Sequence, residues 1–244
     1  MKSWCKNLLA AALSLAMLSA CSSSDVEEEP VSELTAIQAT VFPEVSWSAS
    51  VGDGVGDYYS RLTPAVRYGK IFAADRYGEV VAFDEATGEQ VWKKDFSEEF
   101  RDNALAKNKG ARLAAGVTAA RNKLFIGGES GLLAALNAED GQVLWHVIAG
   151  GELLSKPTVA DDVVVVSTSS GSFEAYNVDT GAKLWVYNMQ LPNLTLRGTG
   201  SAAYEAGGFF IGTAEMFQSF KIVMERFDGV GAHAVLLNLM VSAK

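Results

Sequence analysis

Three fifteen-residue phrases in register, each preceded by two short apolar runs, predict an all-β chain: a β-propeller built of four-stranded blades. The phrases are GEVVAFDEATGEQVW at 78–92, GLLAALNAEDGQVLW at 131–145 and GSFEAYNVDTGAKLW at 171–185. They align without a gap. Gly78, Gly131 and Gly171 open them, Gly88, Gly141 and Gly181 follow ten residues later, and Trp92, Trp145 and Trp185 close them. A four-stranded unit cannot bury both of its faces alone, so units repeating at about 40–50 residues must stack on one another. The tryptophans are separated by 53 and then 40 residues, which fits that period.

The first strand of each unit is a small-residue run ending near Ala65-Val66, Val117-Thr118 and Thr158-Val159; the second is GKIFAAD, NKLFIGG or DVVVVST. The third and fourth come from the phrase itself. Between them lies a turn whose chemistry is explicit: Asp84, Asn137 or Asn177 accepts hydrogen bonds from backbone N–H groups ahead of it. The second glycine takes a left-handed conformation that a side chain resists. Ala82, Ala135 and Ala175 permit close packing, and each tryptophan is placed to wedge a large flat surface between adjacent blades. The longer first interval is accounted for by SEEFRDNALAKNKGARL, 97–113, an inter-blade loop or short helix. Trp47, in PEVSWSASVG, reads as the end of a terminal strand whose companions lie elsewhere in the chain.

A fourth unit opens with GTGSAAYEAGGFFIGTA, 198–214, and then leaves the pattern. The alignment puts the expected opening glycine at Met216, the second glycine at Arg226 and the tryptophan at Val230. Residues 215–244 are therefore set apart as an atypical tail, explained by truncation or a frameshift after about residue 214, or else by a capping segment. About three and a half blades are present. An arc of that size exposes apolar faces and strand edges.

The N-terminus carries an address. Lys2 and Lys6 precede an apolar run from Leu8 to Leu18, the form of a secretory signal peptide. Leu18-Ser19-Ala20-Cys21 resembles a bacterial lipobox, so Cys21 is the expected lipidation site and first mature residue. Loss of Lys2 and Lys6 makes the mature chain two units more acidic. With Cys5 removed and Cys21 acylated, no disulfide is available. Ser22 after the cysteine points to the outer membrane, with several acyl chains as a stable tether. The division is thus 1–20 signal peptide, 21–40 lipidated N-terminus and flexible acidic linker, 41–214 partial propeller and 215–244 tail.

Other classes are disfavoured. A formal net charge of −9 argues against nucleic acid. His146 and His233 are isolated and make no metal site, and no nucleophile elbow or phosphate loop occurs. GTGSAA at 198–203 fits a dinucleotide pattern in letters only, because strand-like GGFFIG follows it. No catalytic residue, metal or cofactor is expected. The alternative of a quinoprotein dehydrogenase fragment would need a calcium site of carboxylates, whereas Asp84, Asp140 and Asp179 all fall in the repeated turn.

The lipobox, the acidic linker, WSASVGDGVGDYYSRLTPAV and the repeated A-φ-[DN]-x-x-x-G-x-x-x-W together resemble the BamB family of outer-membrane assembly lipoproteins, over residues 1 to about 214. The resemblance implies an eight-bladed periplasmic scaffold, without catalysis, that binds BamA within the barrel assembly complex and helps nascent outer-membrane proteins reach it. It also implies a partner-binding loop of the form L-x-L-R, matched here by Leu194, Leu196 and Arg197 in LPNLTLRGTG. Two leucines two apart share one face of an extended segment, and arginine is enriched at interface hot spots. The same residues could instead begin a buried strand. The family's companion acidic loop is missing from this chain, and a different periplasmic protein-binding propeller is a further alternative.

Overall fold

The computed structural model describes residues 40–58, 60–100, 110–188, 200–205, 208–210, 212–215, 219–227 and 232–240, from residue 210 onward by backbone only. The chain divides into residues 1–44, of which 40–44 are described and exposed, and residues 45–244, which hold every described strand.

Three antiparallel four-stranded sheets follow the three phrases. The first holds β1 (Ala65–Arg67), β2 (Lys70–Ala74), β3 (Glu79–Asp84) and β4 (Gln90–Asp95). The second holds β5 (Leu113–Ala120), β6 (Lys123–Gly128), β7 (Leu132–Asn137) and β8 (Val143–Ile148). The third holds β9 (Thr158–Ala160), β10 (Val163–Ser167), β11 (Ser172–Asn177) and β12 (Lys183–Asn188). Each is a sequential meander, the order expected of propeller blades.

A fourth sheet begins with β13 (Ala203–Glu205) and β14 (Gly208–Phe210). β14 and β15 (Gly212–Glu215) share one continuous register on β16 (Ser219–Phe227), and so act as a single second strand. β17 (Ala232–Met240) completes the sheet beside β16. The segment set apart in the sequence therefore pairs as third and fourth strands. Those strands are nine residues long, against six in the other blades, and the turn phrase is absent from them.

The third strand of each of the first three blades is buried on both sides because blades stack face to face. Phe72, Val80, Ala82 and Trp92 of the first blade meet Leu124, Ile126, Leu132, Ala134 and Leu136 of the second. Phe125, Leu133 and Ala135, on the second blade's other face, meet Val164, Val166 and Tyr176 of the third. Val163, Val165 and Ala175 then meet Phe209. One residue parity faces each neighbour, as the two-residue period of a strand requires.

Two features went unread in the sequence. A register shift lies between Ala82 and Phe83, between Ala135 and Leu136, and between Ala175 and Tyr176. This bulge sets Trp92, Trp145 and Trp185 opposite the repeated alanines, so that each indole lies beside the smallest side chain available. The turns joining first and second strands are also linked from blade to blade. Asn122 N–H donates to the Tyr68 hydroxyl, Arg121 donates to the Asp161 carbonyl and pairs with Asp162, and the Tyr204 hydroxyl donates to Asp161.

Candidate functional site

The repeated residues form blade-docking sockets. The Trp92 indole N–H donates to the Ala138 carbonyl at 3.1 Å, and that of Trp145 donates to the Val178 carbonyl at 3.0 Å. The acceptor in each case follows the asparagine that opens the turn of the next blade. That asparagine organises the turn: Asn177 Oδ1 accepts from the N–H groups of Asp179 and Thr180, as Asp84 Oδ1 does from Ala86 and Thr87. The indole then lies flat on the second glycine. A Cβ on Gly141 would come within 2.8 Å of Trp92, and one on Gly181 within 2.7 Å of Trp145.

Trp47 makes the same contact on the first blade. Its N–H donates to the Glu85 carbonyl at 3.1 Å, and a Cβ on Gly88 would reach 2.6 Å from its ring. It does so from a stretch that has no strand, so the expectation of a terminal strand at Trp47 is corrected while the docking is as the repeat implies. The hydrogen bond and the glycine are enough to seat an indole without strand pairing.

Trp185 is different. Its Nε1 is buried without a hydrogen-bond partner among the described residues. The residue matching Val178 is Val223, in the middle of β16 and paired with Leu236, and the residue matching Gly181 is Arg226. Among the described residues no carbonyl accepts the indole proton.

At the end where second strands turn into third strands, a buried charge cluster links the first two blades. Both terminal nitrogens of the Arg76 guanidinium donate to Glu129 at 2.8 Å, and Arg112 reaches the same carboxylate at 2.6 Å. Glu129 is 5% exposed and Arg76 4%. Burial opposes ionisation of Glu129, but the hydrogen bonds from Arg76 and Arg112 outweigh it and hold the carboxyl down at about 2. Arg112 has φ 52° and Gly110 φ 61°; Ala111 N–H bonds the Tyr77 carbonyl, and Leu113 N–H bonds that of Arg76. The cluster thus clamps the returning end of the long 97–113 connection. Over it folds the glycine-rich stretch 52–58, whose Tyr58 ring lies 4.1 Å from the Arg76 guanidinium carbon.

In the third blade Glu174 stands where the other phrases have Val81 and Ala134. It is 2% exposed and accepts from Gly150 N–H, the Tyr176 hydroxyl and Lys183. Burial works against its ionisation, and the Lys183 and Tyr176 hydrogen bonds prevail, so its carboxyl is lowered. Burial, reinforced by the bond to Glu174, pushes the Tyr176 hydroxyl well above its ordinary range. The turn carboxylates are engaged as well: Asp140 accepts from Gln142 N–H and Asp179 pairs with Lys123.

Cys21, Leu194, Leu196 and Arg197 lie outside the described residues. The last three fall between the end of β12 at Asn188 and Gly200. The far side of that connection is tied to the third blade, where Ser167 Oγ donates to the Gly200 carbonyl and Thr158 Oγ1 to that of Ala202.

These blades match the family described as outer membrane protein assembly factor BamB, over residues 43–109 and 76–228. The chain belongs to this family. It is 96% identical over 215 residues to the outer membrane protein assembly factor BamB of Shewanella oneidensis, an alignment covering 88% of this chain and 54% of that protein. The Yersinia pestis BamB is 44% identical over 209 residues, covering 85% of this chain and 53% of the relative. The chain therefore spans about half the length of the curated relatives it matches. The crystal structure of BamB from Moraxella catarrhalis superposes with a TM-score of 0.58 at 24% identity, over 74% of this chain and 48% of that one, which shows the shared propeller fold. The family is one of assembly factors, not of quinoprotein dehydrogenases.

Proposed function

We propose that this BamB-family chain is a non-catalytic scaffold for outer-membrane protein assembly, held at the periplasmic face of the outer membrane through lipidated Cys21. The family match carries this reading. Within it, Leu194, Leu196 and Arg197 bind BamA, and the blades bring nascent outer-membrane proteins to it. The described polar side chains are consistent with scaffolding: the repeated Asp and Asn build turns, and the buried Arg76–Glu129–Arg112 cluster joins blades.

Capture of BamA on the immobilised chain tests the interface. The triple change Leu194→Ala, Leu196→Ala and Arg197→Ala should weaken capture by about 2 kcal/mol or more if these are hot-spot residues. Unchanged capture would remove them from the interface. Palmitate labelling of the wild type, lost in Cys21→Ala, tests the anchor.

A further inference from the structure

We infer that the buried Ser155–Ser167 hydroxyl pair is a positioning element for the partner-binding connection between β12 and β13, pinning the end that follows Arg197 to the third blade. This role rests on the reading above, in which Leu194, Leu196 and Arg197 bind BamA.

Ser167 ends β10 and pairs with Phe173. The matching residues are Ala74, paired with Val80, and Gly127, paired with Leu133. The third blade thus carries a hydroxyl at a place where the first two blades have none. Ser167 is 3% exposed and Ser155 1%. A hydroxyl buried to that extent costs stability unless it is hydrogen-bonded. The two Oγ atoms bond one another at 2.5 Å. Two hydroxyls that share one bond still have one proton over. Ser167 Oγ donates to the Gly200 carbonyl at 3.2 Å, so that proton is spent on the connection.

The base of this tie is rigid. Ser167 is held in the β10–β11 ladder. Ser155 comes two residues after Leu153, whose N–H donates to the Gly128 carbonyl and whose side chain lies in the core shared by the second and third blades. Gly200 is exposed and stands three residues after Arg197. Three residues span at most about 11 Å, so a fixed Gly200 carbonyl restricts where Arg197 can stand. Freedom removed before binding is not lost on binding, and the difference appears as affinity. A second tie, from Thr158 Oγ1 to the Ala202 carbonyl, has a counterpart one blade earlier, where Thr118 Oγ1 donates to the Pro157 carbonyl at 2.6 Å. That bond joins blades in general. The serine pair answers to the connection alone.

Capture of BamA on the full chain, read beside urea titrations, tests the role. Ser155→Ala with Ser167→Ala should keep nearly the original stability, since both partners of a buried bond are replaced together and the exposed Gly200 carbonyl turns to water. The same variant should weaken capture about threefold or more. Thr118→Val, which removes a blade-joining bond elsewhere, should leave capture unchanged. In an Arg197→Ala chain the serine change should weaken capture by less than about twofold, because it acts through that residue. Full capture by the serine variant, with the triple change at Leu194, Leu196 and Arg197 still weakening it, overturns the positioning role and leaves the interface reading standing. An undiminished loss in the Arg197→Ala chain, or a matching loss in Thr118→Val, shows an effect on the blades at large and overturns it too. Unchanged capture by the triple variant removes the interface reading itself, and the positioning role with it.

Discussion

The indole N–H of Trp145 donates to the carbonyl of Val178 at 3.0 Å, across the boundary between two blades. Trp185, at the same place in the next blade, has a buried N–H with no acceptor among the described residues. The pair separates two contributions that usually travel together, apolar burial and one hydrogen bond. Trp145→Phe removes both some area and the bond, leaving the Val178 carbonyl without its donor. Trp185→Phe removes area and relieves an unsatisfied group. An unmade buried hydrogen bond costs about 1–3 kcal/mol. In urea titrations Trp145→Phe should therefore destabilise by at least about 1 kcal/mol more than Trp185→Phe. Equal losses would mean that the socket carbonyl contributes nothing to blade docking.

Glycine at the second turn position answers two demands, and they can be weighed apart. Gly141 has φ 72° and Gly54 φ 68°, so alanine at either place meets the same backbone penalty of about 1 kcal/mol. A Cβ at Gly54 meets nothing within 4 Å, whereas at Gly141 it runs 2.8 Å from the Trp92 ring. Gly141→Ala should lower thermal stability clearly more than Gly54→Ala, since the indole must lift from its seat. Matching melting shifts would reduce the glycine's role to the turn alone.

The propeller was legible because each phrase repeats what docking needs: a turn acceptor, a glycine seat and an indole, at fixed spacing. The bulge beside Ala135 and Trp145 was less legible, since it is a register property and adds no letter to the pattern. Arg76, Arg112 and Glu129 were invisible for another reason. They are 17 to 53 residues apart, and only the stacking of two blades brings them together. Glu174 had a signal, a carboxylate at a position apolar in Val81 and Ala134, but its partners Lys183 and Gly150 lie on other elements. Residues 215–244 were set apart for lacking the phrase, and strand pairing alone does not require the phrase.

The Arg76–Glu129 pair should behave as a buried ion pair. Arg76 is raised above its ordinary value, chiefly by its hydrogen bond to Glu129. Arg76→Met leaves the carboxylate with Arg112 as the guanidinium partner seen here. Breaking one partner of a buried pair costs about 3–5 kcal/mol. Adding Glu129→Met should recover part of that loss, because the buried carboxylate left with one guanidinium is gone. A double variant less stable than Arg76→Met would show that Glu129 is held mainly by Arg112 and the backbone.

Glu129 also gives the fold an acid limit. Its carboxyl lies at about 2 against an ordinary 4.5, so the folded state favours the ionised form. A lowered carboxyl contributes stability in full above the unfolded value and loses it as pH falls toward the folded one. The window thus opens near 4.5 and closes near 2. One pKa unit corresponds to about 1.4 kcal/mol, which puts the loss at roughly 2 kcal/mol by about pH 3. Glu129→Gln has no such carboxyl. It should be less stable than the wild type at neutral pH and should close most of that gap on acidification. Other carboxylates, Glu174 among them, titrate in both proteins and cancel in the comparison. Urea titrations of both at about pH 6 and about pH 3 give the difference directly. A gap that stays constant between the two would mean that Glu129 titrates near 4.5 in the folded chain and that the two arginines do not hold it ionised.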